Sequence, residues 1–266
     1  MTAAYVEAIA VIGPGLSDWE EAVGALRDPS TYRADGVIAD AAIGVPPNER
    51  RRTTPLIRLT LGVLDQLAKR SALDLSQAAS VFATSWGDME VIQNMMNALI
   101  GPGIPVSPVQ FHNMVHNAAA GFWSIGTRAR KASTSLTAGE RTFAAGLTDA
   151  VAWVATRNET VLFVCYDYPG PAIFNRYNPI DAQFAVAMAL TAERTDRSCC
   201  RVQIGYIPET PESVMAQPDL ESLRTGNPAA RALPFLAAIA NGVGDRVIVS
   251  SAAPGSSVAI DVVPVS

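Results

Sequence analysis

ASTSLTAGERTFAAGL, residues Ala132 to Leu147, is the stretch from which the rest of this sequence is best interpreted. A short run of small and hydroxylated residues is followed by Ala138-Gly139 and then by an alanine-rich segment with helical spacing. This order predicts a strand near 131–136, a turn, and a helix near 140–157. Strand-turn-helix corners often hold a nucleophile, because the sharp turn exposes the corner side chain. The corner residue here is Thr137.

Segments on both sides of this corner alternate between strand-like and helix-like patterns. Apolar, β-branched runs predict strands at 4–13, 79–85 and 160–168, and helical spacing predicts helices at 16–28, 54–71, 89–100 and 109–127. The three prolines of 101–108 exclude regular structure there. This alternation predicts an α/β fold in which helices cover a mixed sheet.

The last third of the chain follows a different pattern. Segments 182–193 and 200–208 are strand-like with no helix between them, which predicts an antiparallel, hairpin-like unit. Segment 209–228 is polar and rich in Pro, Ser and Gly, so we expect a long exposed loop. A helix within 230–242 and two strands around a Pro-Gly turn complete the predicted elements.

Composition narrows the class of protein. The 266 residues are 49% apolar and 17% charged, which is ample for a buried core. The net charge is −5 and basic residues form no stripe, so we expect no nucleic-acid partner. No apolar run approaches the ~20 residues of a membrane span and the N-terminus lacks a secretory signature, so we expect a cytoplasmic protein. Cys165, Cys199 and Cys200 match neither a disulfide framework nor zinc spacing.

The two histidines, His112 and His116, lie four residues apart on the predicted helix 109–127. This spacing places both imidazoles on one helical face, as in the H-E-x-x-H zinc motif. Asn113 occupies the position of that motif's glutamate, and the sequence offers no obvious third ligand. We therefore predict no metal site and interpret the pair as packed or hydrogen-bonded side chains.

Familiar catalytic and cofactor motifs are absent from the sequence. It contains no G-x-S-x-G elbow, no GxxxxGK[ST] and no GxGxxG, so we expect no nucleotide cofactor. A threonine hydroxyl needs a base to become nucleophilic, and Lys131 could not reach Thr137 along an extended strand. The spacing of the residues gives Thr137 no evident base.

Residues 106–154, which include VSPVQFHNMVHNAAAG and ASTSLTAGERTFAAGL, resemble the core of a β-ketoacyl synthase. Flanking segments TTPLIRLTLGVLDQLAK, ASVFATSWGDMEVIQNMMNAL, TVLFVCYD and AVAMAL agree in order and spacing, so the resemblance covers residues 3–208. It implies a thiolase-like, layered α/β fold with a complete first half and a strongly reduced second half. The implied organisation is a single domain, 1–266, with a core over 1–208, a loop over 209–228 and a reduced half over 229–266.

The departures from the family pattern concern the catalytic residues. The cysteine of the ketosynthase elbow falls on Thr137, and no histidine follows residue 117 to supply the family's two catalytic imidazoles. The resemblance therefore implies that this chain alone does not catalyse condensation. It is most similar to chain length factors, specifically to the short, cysteine-less type associated with aryl polyene clusters.

Such a subunit would pair with a cysteine-containing β-ketoacyl-ACP synthase, shape its acyl tunnel, and meet acyl carrier protein through the complex. The resemblance places candidate tunnel or interface residues on the helix and strand around the corner: Phe111, His112, Met114, Val115, His116, Phe122, Lys131, Ser133, Ser135, Leu136 and Thr137. Two alternatives remain open. One is an acyltransferase or decarboxylase that uses Thr137 or Cys165, and the other is a self-associating scaffold that binds acyl carrier protein.

Overall fold

The computed structural model describes residues 2–35, 45–101 and 107–265, and its eight strands within these ranges form one mixed sheet. The strands are β1 (Thr2–Ile12), β2 (Ala79–Ala83), β3 (Ser133–Leu136), β4 (Val161–Asp167), β5 (Phe184–Thr191), β6 (Cys200–Pro208), β7 (Asp245–Ser250) and β8 (Ser256–Pro264). Their order across the sheet is β3-β2-β4-β5-β1-β6-β8-β7.

The helices lie between and on both sides of these strands. They are α1 (Trp19–Arg27), α2 (Pro47–Arg50), α3 (Pro55–Arg70), α4 (Met89–Ile100), α5 (Pro108–Asn113), α6 (Ala118–Thr127), α7 (Thr142–Arg157), α8 (Ala172–Asn175), α9 (Pro218–Gly226) and α10 (Leu233–Asn241). Asp18 caps α1 by accepting from the Glu21 N–H at 2.9 Å, and Thr54 caps α3 by accepting from the Ile57 N–H. Both caps stand where the sequence predicts a helix to begin.

Two hydrophobic cores occupy the two faces of the sheet. On one face, helices α1, α7, α9 and α10 pack on alternate residues of the strands, for example Phe163 and Cys165 of β4. On the other face, α3 and α6 cover the intervening residues, such as Val164 and Tyr166. Because β4 is buried on both faces, its sequence is apolar or aromatic from Val161 to Tyr166 and lacks the alternation of a half-exposed strand. The predicted layered α/β architecture with a mixed sheet is confirmed.

The directions of the strands place three carboxyl ends at one edge of the sheet. β2 pairs in parallel with both β3 and β4, whereas the pairings of β5 with β4 and β1 are antiparallel. The carboxyl ends of β2, β3 and β4 therefore meet at one edge. Open α/β sheets bind ligands at such carboxyl ends.

The hairpin predicted from 182–193 and 200–208 is wrong. β5 and β6 do not pair with each other, because β1 lies between them and is antiparallel to both. β1 is eleven residues long and almost entirely apolar, so it is long enough to pair with one neighbour along most of its length and with the other at its start. Pairing with this remote strand buries more backbone than a local hairpin would.

The exposed loop predicted over 209–228 is also wrong in part, since it contains the helix α9. Gln217 caps this helix by accepting from the Leu220 N–H at 2.6 Å, and Pro218 occupies its first turn. Leu220 and Leu223, three residues apart, are buried. The proline and serine content of the segment concealed this apolar spacing.

The continuous helix predicted over 109–127 is divided into α5 and α6. Asn113 ends α5, where its buried side chain donates to the Arg52 carbonyl at 2.6 Å. His112 and His116 consequently lie on different sides of a helix end, and the prediction that both face one way is wrong. The strand predicted from Lys131 begins two residues later, at Ser133. Residues 102–106 of the predicted irregular segment lie outside the described residues.

Candidate functional site

Thr137 lies directly beyond β3 and its side chain is exposed. Its hydroxyl donates to the Ser85 carbonyl oxygen at 2.5 Å. An amide carbonyl accepts a hydrogen bond but is too weak a base to remove the hydroxyl proton. The turn that follows is held by Thr142, whose hydroxyl accepts from the Ala138 N–H at 2.9 Å and donates to the Gly139 carbonyl at 2.7 Å. The corner is therefore a well-bonded turn whose threonine is not activated.

A buried carboxyl group lies behind this corner. One carboxylate oxygen of Asp167, Oδ1, accepts from the Ser85 N–H at 2.8 Å, the Ser85 hydroxyl at 2.7 Å and the Thr84 hydroxyl at 3.0 Å. The other oxygen, Oδ2, is buried without a hydrogen-bond partner among the described residues. Burial raises the pKa of Asp167 to about 7, against the opposing effect of the hydrogen bonds from Ser85 and Thr84.

Sequence reasoning missed Asp167 and Ser85, although a signal was available. Asp167 ends the most apolar strand of the sheet, and Thr84-Ser85 follow β2 at the same edge. Polar residues at the carboxyl ends of adjacent parallel strands come together in space. This rule, applied to the predicted strands, would have grouped Thr137, Ser85 and Asp167.

Cys165, the alternative nucleophile, lies in the middle of the sheet. It is fully buried in β4, and burial followed by the nearby Asp167 carboxylate raises the pKa of its thiol. A reactive cysteine needs an accessible thiolate. This side chain therefore has the environment of a structural thiol.

The predicted residues of the α5–α6 region separate into four environments. Met114, Val115 and His116 line a cavity, whereas His112 lines a separate surface depression near Arg52. Phe111 is 58% exposed. Phe122 is buried, and its ring makes an edge contact with His112 at a centroid distance of 5.7 Å. Phe122 thus belongs to the core of this chain.

The cavity has a volume of about 140 Å³ and lies at the carboxyl ends of β2 and β4. Its wall is largely apolar, with Leu56 and Ile57 from α3 and Ile92 from α4, and it includes polar side chains of Asp88, His116 and Tyr166. Within the described ranges, no three His, Cys, Asp or Glu side chains lie close enough together to hold a metal ion.

The two edge strands of the sheet, β7 and β3, differ in the hydrogen bonds that their outer sides make. At β7, Ile248 exchanges hydrogen bonds with Ser213, and the Ser250 N–H donates to Glu212 at 3.1 Å, so segment 212–213 covers this edge. At β3, the Ala132 and Leu136 carbonyls accept from β2. Backbone groups alternate in direction along a strand, so those of Ser133 and Ser135 point outward. Lys131 and Ser133 are exposed at this edge, and Ser135 and Leu136 are half-buried.

Exposed apolar side chains also occur at the end of α4 and in the α5–α6 region. Leu99 and Ile100 at the end of α4 are 71% and 81% exposed, and Phe111, Val115 and Ile125 are exposed in the α5–α6 region. We call these five residues the apolar surface. Exposed apolar groups mark sites of association where they form one patch.

A model described as the β-ketoacyl synthase N-terminal domain matches residues 27–244, which is most of the chain. The chain belongs to this ketosynthase family. A search of curated protein sequences found no match.

Solved structures share the fold of this ketosynthase-family chain over nearly its full length. One is the ketosynthase ApeO in complex with its chain length factor ApeC from Xenorhabdus doucetiae, with a TM-score of 0.74, 20% identity, and 98% of this chain and 99% of that chain covered. The ishigamide ketosynthase/chain length factor gives a TM-score of 0.74 at 13% identity and covers 100% of both chains.

A third similar structure is AntDE:AntF, a type II PKS acyl-carrier protein in complex with its ketosynthase bound to the hexaketide. It gives a TM-score of 0.76 at 11% identity, with 99% of both chains covered. At these identities the likeness concerns the fold, and it confirms the predicted thiolase-like ketosynthase fold. The predicted division into a complete and a reduced half stays a prediction. No helix in the described parts of the chain is long and apolar enough to cross a membrane.

Proposed function

We propose that this chain is a non-catalytic chain length factor, of the short, cysteine-less type associated with aryl polyene biosynthesis. In this proposal it forms a heterodimer with a cysteine-containing β-ketoacyl-ACP synthase, shapes the acyl tunnel of that enzyme, and meets acyl carrier protein through the complex. The observation that carries the proposal is the outer edge of β3, which pairs with no strand of the described residues and ends at Thr137, whose hydroxyl is bonded to the Ser85 carbonyl.

The chemistry of the corner supports a subunit that leaves condensation to its partner. The corner has the strand-turn-helix shape that presents a nucleophile. The hydroxyl of Thr137, however, donates to the Ser85 carbonyl, which is not a base that could remove its proton. Cys165 is enclosed by the sheet. An acyl chain attached to an enzyme thioester would therefore have to come from another chain.

The surface around β3 supports association through the strand edge. An unpaired edge is a template for another strand, and proteins usually block it with charges, prolines or a covering segment. Here β7 is covered by segment 212–213, whereas β3 carries outward-pointing peptide groups, and the chain also exposes the apolar surface. Strand addition with flanking apolar contact would bury both features at once.

Similar folds are found in complexes. Two of the similar structures, ApeO with ApeC and the ishigamide pair, are of a ketosynthase with a chain length factor. They agree with the partner that the open edge and the missing nucleophile call for.

Co-expression tests the proposal directly. The tagged chain is produced together with a cysteine-containing ketosynthase from the same organism, and the complex is isolated at micromolar concentration. We expect a stable heterodimer, and its product should change in length when Phe111 or Val115 is replaced by Ala. Absence of a complex, or an acyl adduct on this chain that disappears in Thr137→Ala or Cys165→Ala, would contradict the proposal.

A pair of substitutions at one position tests the role of the edge. Ser135→Pro removes an outward-pointing N–H while leaving the bonds between β3 and β2, because prolines are tolerated on edge strands. Ser135→Ala keeps that N–H. We expect Ser135→Pro to weaken heterodimer formation about tenfold, the effect of losing one main-chain hydrogen bond, and Ser135→Ala to bind normally. Equal binding of the two variants would exclude pairing through this edge.

A further inference from the structure

Tyr166 is a buried residue in the wall of the cavity. It is 1% exposed and lines the 140 Å³ cavity, yet its hydroxyl forms no hydrogen bond with any residue that the structure describes. Its ring is fixed by an edge contact with Phe82 at a centroid distance of 6.4 Å. Buried tyrosine hydroxyls usually have a partner. This one faces a space in which a partner could lie.

A second polar group lies in the same wall. Asp88 uses its Oδ1 to cap α4, accepting from the Val91 N–H at 3.1 Å, while its Oδ2 is buried without a partner among the described residues. A buried polar atom left unpaired, such as this Oδ2, costs about 1–3 kcal/mol. The Tyr166 hydroxyl and the Asp88 carboxylate beside one cavity are groups that could hold a molecule with hydrogen-bonding capacity.

The rest of the wall defines the character of that molecule. Leu56, Ile57, Ile92 and Met114 supply apolar surface, which excludes a strongly hydrated ligand. The Asp88 carboxylate disfavours anions such as phosphate or a free carboxylic acid. Cavities of about 150 Å³ with apolar walls accept a single benzene-sized ring.

We propose that this cavity binds a small neutral molecule that has a ring-sized apolar body and one hydroxyl group, held by hydrogen bonding to Tyr166. The hydroxyl of such a ligand accepts from Tyr166 and can donate towards the carboxylate of Asp88, while its ring contacts Ile57 and Ile92. Phenol is the simplest member of this class. The proposal does not depend on the heterodimer, because every residue it uses belongs to this chain.

The cavity opens to the surface between side chains that are partly exposed. Trp86, Val115 and His116 line it and are also solvent-accessible, and His116 forms no hydrogen bond with a described residue. A ligand can therefore enter without unfolding of the core. Val115 also belongs to the apolar surface, so a docked partner would reduce access to this opening.

Methyl NMR of the full-length chain with labelled isoleucine tests the proposal. Ile57 and Ile92 report on the cavity, and Ile239 of α10, in the other core, is the internal control. We expect phenol to shift the Ile57 and Ile92 methyl signals in a saturable manner while the Ile239 signal stays in place. Toluene serves as the probe of the same size without a hydroxyl.

Removing the hydroxyl separates recognition from packing. In Tyr166→Phe we expect phenol to bind up to about tenfold more weakly, the value of one hydrogen bond, and toluene to bind within about twofold of wild type. Tyr206→Phe is the matched control, because Tyr206 is exposed on β6 and lies outside the cavity wall. In the absence of ligand, Tyr166→Phe should keep or raise the melting temperature, since it removes an unpaired hydroxyl.

Three results would overturn the proposal. Phenol that shifts all three isoleucine signals equally is a non-specific solvent effect. Equal loss of phenol and toluene binding in Tyr166→Phe is a packing effect without hydroxyl recognition. No shift of Ile57 or Ile92 at millimolar phenol means that the cavity holds water only. None of these results would affect the proposed heterodimer, which is measured by co-expression.

Discussion

Asp167 shows how a single strand residue links the fold to the corner. Its Oδ1 accepts three hydrogen bonds from Thr84 and Ser85, and Ser85 in turn accepts from Thr137 through its carbonyl. The carboxyl group therefore fixes the end of β2, which fixes the corner after β3. Its Oδ2 has no partner among the described residues, so the charged form is poorly compensated.

This imbalance predicts a dependence of stability on pH. The pKa of Asp167 rises from 3.8 in the unfolded chain to about 7 in the folded one, so its contribution to folding is fully present below pH 4 and is lost as pH rises through 7. Asp167→Asn keeps an acceptor for Ser85 without a charge. Between pH 4 and 7, we expect the free energy of unfolding of this variant, relative to that of wild type, to rise by about 1.4 kcal/mol per pH unit. Urea unfolding from pH 4 to 8 measures this, and a variant equally destabilised at every pH would contradict it.

Helix α7 shows at the element scale how closely the sheet is covered. A Cβ atom added at Gly146 would lie 2.8 Å from the Ala83 Cβ and 2.8 Å from Phe163 Cε2. The Cβ of Ala83 belongs to a strand that is paired on both sides and cannot move aside. Gly146 is therefore required by the close approach of α7 to β2 and β4, although glycine weakens a helix.

A comparison of two glycines tests this requirement. Gly146→Ala should destabilise the chain by about 1–3 kcal/mol, because overpacking outweighs the gain in helix propensity. Gly24→Ala is the matched control, because Gly24 is exposed on α1 and a Cβ atom there meets nothing within 4 Å. This substitution should stabilise the chain by about 0.5–1 kcal/mol. Denaturant midpoints measure both. Stabilisation by both substitutions would show that α7 can move away from the sheet.

The elements that the sequence predicted well are those whose pattern is local. Capped helices such as α3, and β4 with its unbroken apolar run, follow directly from residue spacing. The failures concern information that is not local. Nothing between 182 and 208 indicates that β1 inserts between β5 and β6, and the break after Asn113 depends on its hydrogen bond with Arg52. The position of the Tyr166 hydroxyl in the cavity wall likewise depends on side chains that are distant in the sequence.

The whole molecule is organised around one continuous sheet with two unequal edges. β6, β8 and β7 extend the sheet beyond β1, and α9 and α10 pack in the same core as α1 and α7. Arg231 joins this C-terminal region to the corner through Glu140 at 3.1 Å and Glu212 at 3.2 Å. The segment that covers the β7 edge is thus tied to the turn beside the open β3 edge.

This shared core predicts that the described N-terminal and C-terminal strands unfold together. Phe235 of α10 packs against Phe143 of α7 at a centroid distance of 6.1 Å. A substitution in α10 should therefore change the stability of strands in both parts of the sheet. We expect Phe235→Leu to lower the free energy of opening by about 1 kcal/mol in both β4 and β8. Hydrogen exchange with peptide resolution measures both strands in one experiment. The amides of one cooperative unit become exposed to exchange together, so equal losses of protection in β4 and β8 would mean that both strands belong to a single unit. A loss of protection confined to β6, β7 and β8 would contradict the prediction, because the residues after 200 would then form a separate cooperative unit.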